Sequence, residues 1–266
     1  MKSLRVKPGT KVSLDDYDPA DTGPYKSADD VADKLKEHID ELDRLQNLLY
    51  AESRRALLIV LQGMDASGKD GTIRHVMTGL NPQGVSVVPF KVPSDEERAH
   101  DYLWRVHKVT PRFGQIAIFN RSHYEDVLVV RVHDLVPKKT WKARYEQINQ
   151  FEKMLAKNHV ILLKFFLHIS KAEQKTRLEA RLQDPARYWK FSMHDVEERR
   201  HWPGYRKAYE EALTRCSTKL APWHIVPANH KWYRNLVVAQ TVVQALRDLD
   251  MKYPEPTVDL SKIVID

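Results

Sequence analysis

A run of apolar residues that leads directly into a glycine-rich loop is the feature that most constrains the fold of this chain. Residues 56–61 read Ala-Leu-Leu-Ile-Val-Leu, and residues 63–71 read Gly-Met-Asp-Ala-Ser-Gly-Lys-Asp-Gly. A buried strand followed by Gly-x4-Gly-Lys predicts a loop whose backbone N–H groups, helix N-terminus and lysine together bind phosphate. The alternative interpretation is an ordinary glycine turn between a strand and a helix.

The loop departs from the common nucleoside triphosphatase pattern at the position after its lysine. A serine or threonine that binds Mg²⁺ normally stands there. This chain has Asp70 instead, and Thr72 comes two residues later. The loop also contains an acidic residue, Asp65. A carboxylate beside phosphate is useful when Mg²⁺ lies between them, so we predict that Asp65 anchors Mg²⁺. The alternative role for Asp65 is capping of the turn.

The composition favours one cytoplasmic domain. The 266 residues, 42% of them hydrophobic, suffice for a full core, and we expect a single domain over residues 1–266. No apolar run is long enough to span a membrane, and residues 1–5 are not followed by the apolar stretch of a secretory signal. The single cysteine, Cys216, excludes an intramolecular disulfide and a multi-cysteine metal site, which fits a reducing compartment.

The net charge of +7 favours a polyanionic partner. Nucleic acid, a membrane surface and a phosphate-rich substrate all meet that description, and charge alone does not choose among them.

Strands and helices alternate along the chain. Apolar runs predict strands at residues 56–61, 85–90, 115–119, 160–169 and 222–227, and helical periodicity predicts helices at 28–50, 95–107, 140–157, 171–183, 195–215 and 232–251. Alternation of this kind indicates an α/β fold, here a parallel five-stranded sheet with helices on both faces. Residues 1–28, rich in proline, glycine and aspartate, read as an extended N-terminal arm.

A polar cluster follows the third predicted strand. Ligands of open parallel sheets bind at the carboxyl ends of strands, so this cluster is expected beside the phosphate loop. Its arginine can bind two phosphate oxygens at once, or else cap the following helix. Its histidine is a candidate general base or an aromatic packing residue. We predict nucleotide contacts from Asn120, Arg121, His123, Tyr124 and Glu125, and metal contacts from Glu125 and Asp126 in addition to Asp65.

Residues 171–207 contain ten Lys or Arg against six Asp or Glu, and we predict that they form a helical lid. A closing lid would bring positive charge onto phosphate and exclude water. The alternative is a solvated charged face. The predicted phosphate-binding residues are Gly63, Ala66, Ser67, Gly68, Lys69, Asp70, Gly71, Thr72, Arg74, Lys91, Arg177, Arg181, Arg187, Lys190, Arg199 and Arg200.

These motifs together resemble the polyphosphate kinase 2 family. The resemblance rests on the loop at residues 63–71, on Phe-Asn-Arg-Ser-His-Tyr-Glu-Asp at 119–126, on Trp-Lys-Phe-Ser at 189–192 and on Glu-Glu-Arg-Arg-His-Trp at 197–202. It covers about residues 20–256. It implies a P-loop kinase fold with an inserted helical lid, and Mg²⁺-dependent, reversible transfer of the terminal phosphate between inorganic polyphosphate and a nucleotide.

The resemblance also implies roles for single residues. Asp65, Lys69 and Arg121 fall on the family's essential loop acid, loop lysine and strand-end arginine, and we predict that they are catalytic. Many members have Asp where this chain has Asn120, and members that convert only a diphosphate tend to have Asn where it has Glu125. The sequence resembles most the third class, which phosphorylates both AMP and ADP to reach ATP. Family members commonly form tetramers, so a homo-oligomer is expected.

Two other functions stay open on the sequence. An ATP-dependent nucleoside monophosphate kinase shares the fold, although the missing Ser/Thr after Lys69 argues against it. A nucleic-acid-binding protein could use the basic surface, but the chain shows no zinc, helix-turn-helix or aromatic-interleaved strand signature, and we expect no nucleic acid partner.

Overall fold

Five parallel strands form the centre of the molecule. A computed structural model of the chain describes residues 4–265, apart from the side chains of Arg187 and Lys190. The strands are β1 (Ala56–Gln62), β2 (Val85–Pro89), β3 (Ile116–Asn120), β4 (Val160–His168) and β5 (Trp223–Pro227). They pair in the order β2-β3-β1-β4-β5, and every pair is parallel. The predicted five-stranded parallel α/β fold is therefore confirmed.

The described residues form ten α-helices, numbered in chain order. They are α1 (Ala32–Glu52), α2 (Lys69–Val76), α3 (Asp95–Arg98), α4 (Trp104–His107), α5 (Val129–Val132), α6 (Lys138–Lys157), α7 (Lys171–Gln183), α8 (Met193–Glu198), α9 (Trp202–Cys216) and α10 (Lys231–Arg247). No helix within residues 4–265 has both the length and the apolar character needed to cross a bilayer.

The central strands of the sheet are covered on both faces, as their largely apolar sequences require, whereas Ser86, Val87 and Pro89 of the edge strand β2 are exposed. All seven residues of β1 are buried. Because side chains alternate along a strand, Leu58 and Val60 pack with α6 and α9 on one face, while Leu57 and Ile59 pack with α1 and α10 on the other.

The strand register positions the functional loops. Leu61, next to the last residue of β1, lies opposite Asn120, the last residue of β3. The glycine-rich loop that follows β1 and the polar cluster that follows β3 therefore emerge side by side at the carboxyl edge of the sheet, where ligands of such sheets bind.

Two predicted helices are interrupted. The helix predicted at 95–107 is split into α3 and α4, because the Asp101 side chain accepts a hydrogen bond from the backbone N–H of Leu103 and forms a local turn. The helix predicted at 195–215 changes to 3-10 geometry at Arg199–His201 before α9 begins. Pro203 stands in the first turn of α9, and proline is unfavourable in a helix interior.

The N-terminal arm is mostly irregular, with one 3-10 turn at Leu14–Asp16, and it extends the sheet at its β5 edge. Arg5 forms an antiparallel bridge with His224, and the backbone N–H of Val6 donates to the carbonyl of Trp223 at 2.8 Å. We did not predict this pairing from the sequence.

Candidate active site

The loop lysine is folded back into its own loop. Lys69 is the first residue of α2, and its Nζ donates to the carbonyl oxygens of Gly63 at 2.9 Å and Met64 at 3.4 Å. Its side chain is largely buried, and burial, with the nearby charge of Arg121, lowers the pKa of the ammonium. A phosphate at this position would supply the compensating negative charge that the buried ammonium needs.

A buried arginine lies beneath the loop, where the sequence did not reveal it. Gly68 has a left-handed backbone (φ 101°), and a Cβ at this position would overlap the guanidinium of Arg234 from α10. Arg234 is 2% exposed and donates to the carbonyl of Ser67 at 3.3 Å. Burial, with a contribution from the charge of Arg177, lowers its pKa to about 10. The loop is therefore held from below by a cation.

The other loop residues serve mainly the turn itself. Ala66 has a left-handed backbone (φ 59°), which its small side chain tolerates at some strain. The Thr72 hydroxyl, fully buried, donates to the carbonyl of Gly68 at 3.1 Å, so it does not face a phosphate. Gly71 lies against Arg234. Arg74 is exposed on α2.

Two consecutive residues at the end of β3 each bind one acidic residue of the loop region. Asn120 donates its Nδ2 to Oδ1 of Asp70 at 2.5 Å, and Arg121 donates its Nη2 to Oδ1 of Asp65 at 2.8 Å. Arg121 has a left-handed backbone (φ 60°), and strained backbone of this kind concentrates at functional sites. The predicted association of Asp65, Lys69 and Arg121 is present in the structure.

Glu125 belongs to the same cluster. Its Oε1 accepts a hydrogen bond from Nε2 of Gln62 at 3.1 Å, and Tyr209 donates to the other end of that amide at 3.3 Å. Burial raises the pKa of Glu125, although Arg121 and Gln62 act in the opposite direction. Its carboxyl group therefore reaches the site with a higher proton affinity than an exposed glutamate has.

His123 and Tyr124 lie in the core and do not line the site. Both are fully buried. Oε1 of Glu152 accepts a hydrogen bond from the Tyr124 hydroxyl at 2.8 Å and lies 3.3 Å from Nε2 of His123, while the opposite oxygen binds Lys164 at 2.6 Å. The structure does not support the predicted nucleotide contacts of His123 and Tyr124, because neither side chain is accessible from the site.

Asp126 also turns away from the loop. Its Oδ1 accepts a hydrogen bond from Nη1 of Arg144 in α6 at 2.9 Å, and both side chains are 15% exposed. Burial raises the pKa of Asp126 to about 6, in spite of Arg144. The predicted metal contact of Asp126 is not supported by this geometry, because its carboxylate is committed to an arginine on the neighbouring helix.

Residues 171–207 contact the glycine-rich loop, since Gln174 donates to the carbonyl of Asp65 and Arg177 donates to that of Ala66. Their role as a lid stays a prediction. Together with the glycine-rich loop, helices α7, α8 and α9 line a partly open cavity of about 30 Å³, the loop cavity, with room for only a few water molecules. The cavity is lined by Gly63, Met64, Asp65, Arg121, Glu125, Gln174, Glu198, Arg199, Trp202, Tyr205 and Tyr209.

A ligand-sized cavity of about 600 Å³ borders the loop cavity and shares Met64 and Trp202 with it. It lies between the N-terminal arm, the end of β4 and the start of α9, with Lys171 and Arg206 in its wall.

Arg177 joins the predicted lid to the loop and does not face phosphate. Its Nε binds Glu173 at 2.8 Å, one terminal nitrogen donates to the carbonyls of Ala66 and Ser67, and the other donates to the carbonyls of Ala228 and Asn229. These five hydrogen bonds match the five donors of a guanidinium. The predicted phosphate contact of Arg177 is therefore replaced by a structural one.

The remaining predicted basic residues differ in position. Arg199 lines the loop cavity, where it donates to Oε1 of Gln174 at 2.6 Å. Arg181 pairs with Asp195 at 2.8 Å. Arg200 and Lys91 are exposed. The predictions for Arg187 and Lys190 lie outside the side chains that the structure describes.

Several site residues were missed in the sequence. They are Gln62, Gln174, Glu198, Trp202, Tyr205, Tyr209 and Arg234. Gln62 could have been found, since it is a polar residue at the end of a wholly apolar strand and directly precedes the loop. The others lie on helices more than 100 residues further along the chain, and only folding brings them to the loop.

The sequence of the chain is similar to those of known proteins over nearly its whole length. The sequence model of the family described as polyphosphate kinase 2 (PPK2) matches residues 25–254. Over its whole length the chain is 51% identical to a protein of Meiothermus ruber named AMP/ADP-polyphosphate phosphotransferase, and it covers 100% of that protein. It is 44% identical to an ADP-polyphosphate phosphotransferase of Rhodopseudomonas palustris, with 96% of this chain and 93% of that protein covered.

A solved structure shows the same fold. The crystal structure of polyphosphate kinase 2 from Arthrobacter aurescens TC1 superposes with a TM-score of 0.93 at 42% sequence identity, and the match covers 97% of this chain and 92% of that one. The family match and these similarities show that the chain belongs to the polyphosphate kinase 2 family.

Proposed function

We propose that this protein transfers the terminal phosphate of inorganic polyphosphate to AMP and ADP, in a reversible reaction that requires Mg²⁺. The observation that carries the proposal is the association of Lys69, Asp65 and Arg121 at the phosphate loop, beside the predicted lid. Phosphoryl transfer needs positioning and charge neutralisation more than covalent chemistry, and this group of side chains supplies both.

The use of both AMP and ADP is supported by two observations. The Meiothermus ruber relative carries both acceptors in its name. Glu125 stands at the position where the resemblance implies asparagine in members restricted to a diphosphate, and its carboxyl group lines the loop cavity. A longer phosphate chain would meet more repulsion there than a monophosphate, so Glu125 favours AMP as an acceptor.

The residues at the loop fit Mg²⁺. Magnesium prefers oxygen ligands and usually binds through one or two carboxylates, with waters and substrate phosphates completing the octahedron. Asp65 and Asp70 provide carboxylate oxygens at the loop, and no cluster of three or more metal-binding side chains occurs among the residues described. When bound, Mg²⁺ would neutralise charge on the phosphate oxygens.

The protein side chains have separate roles in this proposal. Lys69 binds the transferring phosphate from inside the loop, and Arg121 releases Asp65 in part to bind phosphate oxygens with its planar guanidinium. Arg199 adds positive charge from the lid. Trp202, Tyr205 and Tyr209 exclude water, so that the phosphate goes to a nucleotide rather than to hydrolysis.

The test is donor profiling with separate acceptors. The protein is incubated with Mg²⁺, polyphosphate and either AMP or ADP, without ATP, and nucleotides are separated by chromatography. We expect ADP and then ATP from AMP, and ATP from ADP. Phosphorylation of AMP only when ATP replaces polyphosphate would identify an ATP-dependent nucleoside monophosphate kinase instead. Binding of nucleic acid without turnover of nucleotide would contradict both enzymes.

The homotetramer and the cytoplasmic location stay predictions from the sequence. Light scattering on the purified protein measures the first directly, with a mass near four times 31.0 kDa expected.

A further inference from the structure

Standard phosphate loops hold their metal ion with one residue at the start of the loop helix and one at the end of a neighbouring strand. A hydroxyl follows the loop lysine, and an acidic residue ends the neighbouring strand. In this chain the acidic and the neutral residue have exchanged places between those two positions. The acid, Asp70, follows Lys69, and the neutral residue, Asn120, ends β3.

The structure shows that the two positions are in contact. Nδ2 of Asn120 donates to Oδ1 of Asp70 at 2.5 Å. One carboxylate oxygen is thereby fixed, while Asp70 remains exposed at the start of α2. The hydroxyl that could have substituted for the missing one, on Thr72, is instead bonded to the carbonyl of Gly68.

The exchange leaves the charge of the pair unchanged. A hydroxyl with a carboxylate carries one negative charge, and so does an amide with a carboxylate. The carboxylate has moved from the strand to the helix, and the hydrogen bond between the two positions is kept with its direction reversed, because the strand residue now donates.

We propose that Asp70 is a ligand of the Mg²⁺ ion or of its bound water, and that Asn120 is the positioning residue that orients its carboxylate. Asp70 then acts beside Asp65. The carboxylate of Asp65 is oriented by a hydrogen bond from Arg121, the residue after Asn120. The end of β3 thus orients both carboxylates of the metal site. This inference rests on the proposed function, since it concerns the metal of that same reaction.

The competing explanation is that Asp70 only improves α2 as an acidic residue in its first turn. Metal binding measured without substrates separates the two. The probe is Mn²⁺ alone, titrated into the full-length protein while free Mn²⁺ is followed by electron paramagnetic resonance. The variants are Asp70→Asn, Asp70→Ser, and the double exchange Asp70→Ser with Asn120→Asp, which restores the standard pair. Asp33→Asn is the matched control, because Asp33 is also an exposed acid in the first turn of a helix.

We expect each single variant to weaken Mn²⁺ binding at least about tenfold, the double exchange to return within about threefold of the wild type, and the control to bind normally. Thermal unfolding confirms that each protein is folded. Wild-type affinity in both single variants, a double exchange as weak as Asp70→Ser, or a wild type without a saturable Mn²⁺ site would each overturn the inference. Since no polyphosphate or nucleotide is present, the outcome is independent of donor profiling, which tests the proposed function by itself.

Discussion

Two pairs of a cation and a carboxylate lie on neighbouring parts of the sheet at very different depths. Lys164, on β4, binds Glu152 at 2.6 Å, and the two side chains are 0% and 1% exposed. Arg121, after β3, binds Asp65 at 2.8 Å, and the two side chains are 45% and 22% exposed. The chemistry of the pairs is alike, but their surroundings are not.

The difference in depth separates a structural pair from a functional one. Lys164 also donates hydrogen bonds to the Tyr124 hydroxyl and to the carbonyl of Cys216, so all three N–H donors of its ammonium group are used within the protein. The pair fixes the turn that carries Glu125. Arg121 and Asp65 lie at the open edge, where water or phosphate can replace either partner at little cost.

Breaking the buried pair is expected to have the largest effect, which is a loss of unfolding free energy. Lys164→Met would leave the carboxylate of Glu152 buried without its main partner, which costs about 3–5 kcal/mol in unfolding free energy. Urea unfolding followed by circular dichroism measures the loss. Lys164→Met combined with Glu152→Leu removes both charges and should regain much of it. A single variant as stable as the wild type would mean that the pair does not hold this turn.

Breaking the open pair is expected to act on rate. Asp65→Asn should lower kcat at least about 100-fold, as expected for the loss of one charge-stabilising group, with a change of less than about 1 kcal/mol in unfolding free energy. Lys69→Ala should lower kcat by at least as much. Steady-state kinetics with polyphosphate and AMP measure both. Near-normal turnover in either folded variant would refute its catalytic role.

A third pair, Asp126 with Arg144, is buried to an intermediate degree, and its contribution to stability is expected to depend on pH. The folded-state pKa of Asp126 is about 6, against an ordinary value of 3.8, so the native state binds this proton more tightly than the unfolded chain does. The stabilisation is present at low pH and is lost as pH rises between about 4 and 6.

The Asp126→Asn variant has no group that ionises at this position, so it should not lose this stabilisation. As pH rises through this range, the unfolding free energy of the wild type should fall below that of the variant by about 1–3 kcal/mol. Chemical denaturation at pH 4.5 and at pH 7 tests it. Parallel stability curves for the two proteins would show that Asp126 does not titrate in this way.

Local patterns were sufficient to predict the sheet and the loop. The five strands lie within a few residues of the predicted ranges, because short runs of mostly apolar residues have few other solutions. The association of Asp65, Lys69 and Arg121 also followed from the rule that strand ends meet at one edge.

The sequence did not show which way each side chain turns. His123, Tyr124 and Asp126 are chain neighbours of Arg121 and Glu125, yet the short 3-10 turn at His123–Val127 points them into the core or towards α6. Arg177 reads as a lid cation, but its partners are backbone carbonyls up to 111 residues away along the chain. Such long-range contacts leave no local pattern.

The N-terminal arm has a consequence for how the chain folds during synthesis. Several of its partners are made about 200 residues later, since Val12 binds Thr214, Leu14 binds Glu210 and the carbonyl of Val6 binds Ser217, at separations of 202, 196 and 211 residues. At translation rates of about 5–20 residues per second, roughly 10–40 s pass between the two. Val6, Val12 and Leu14 can therefore form these native contacts only after α9 and Ser217 have been synthesised.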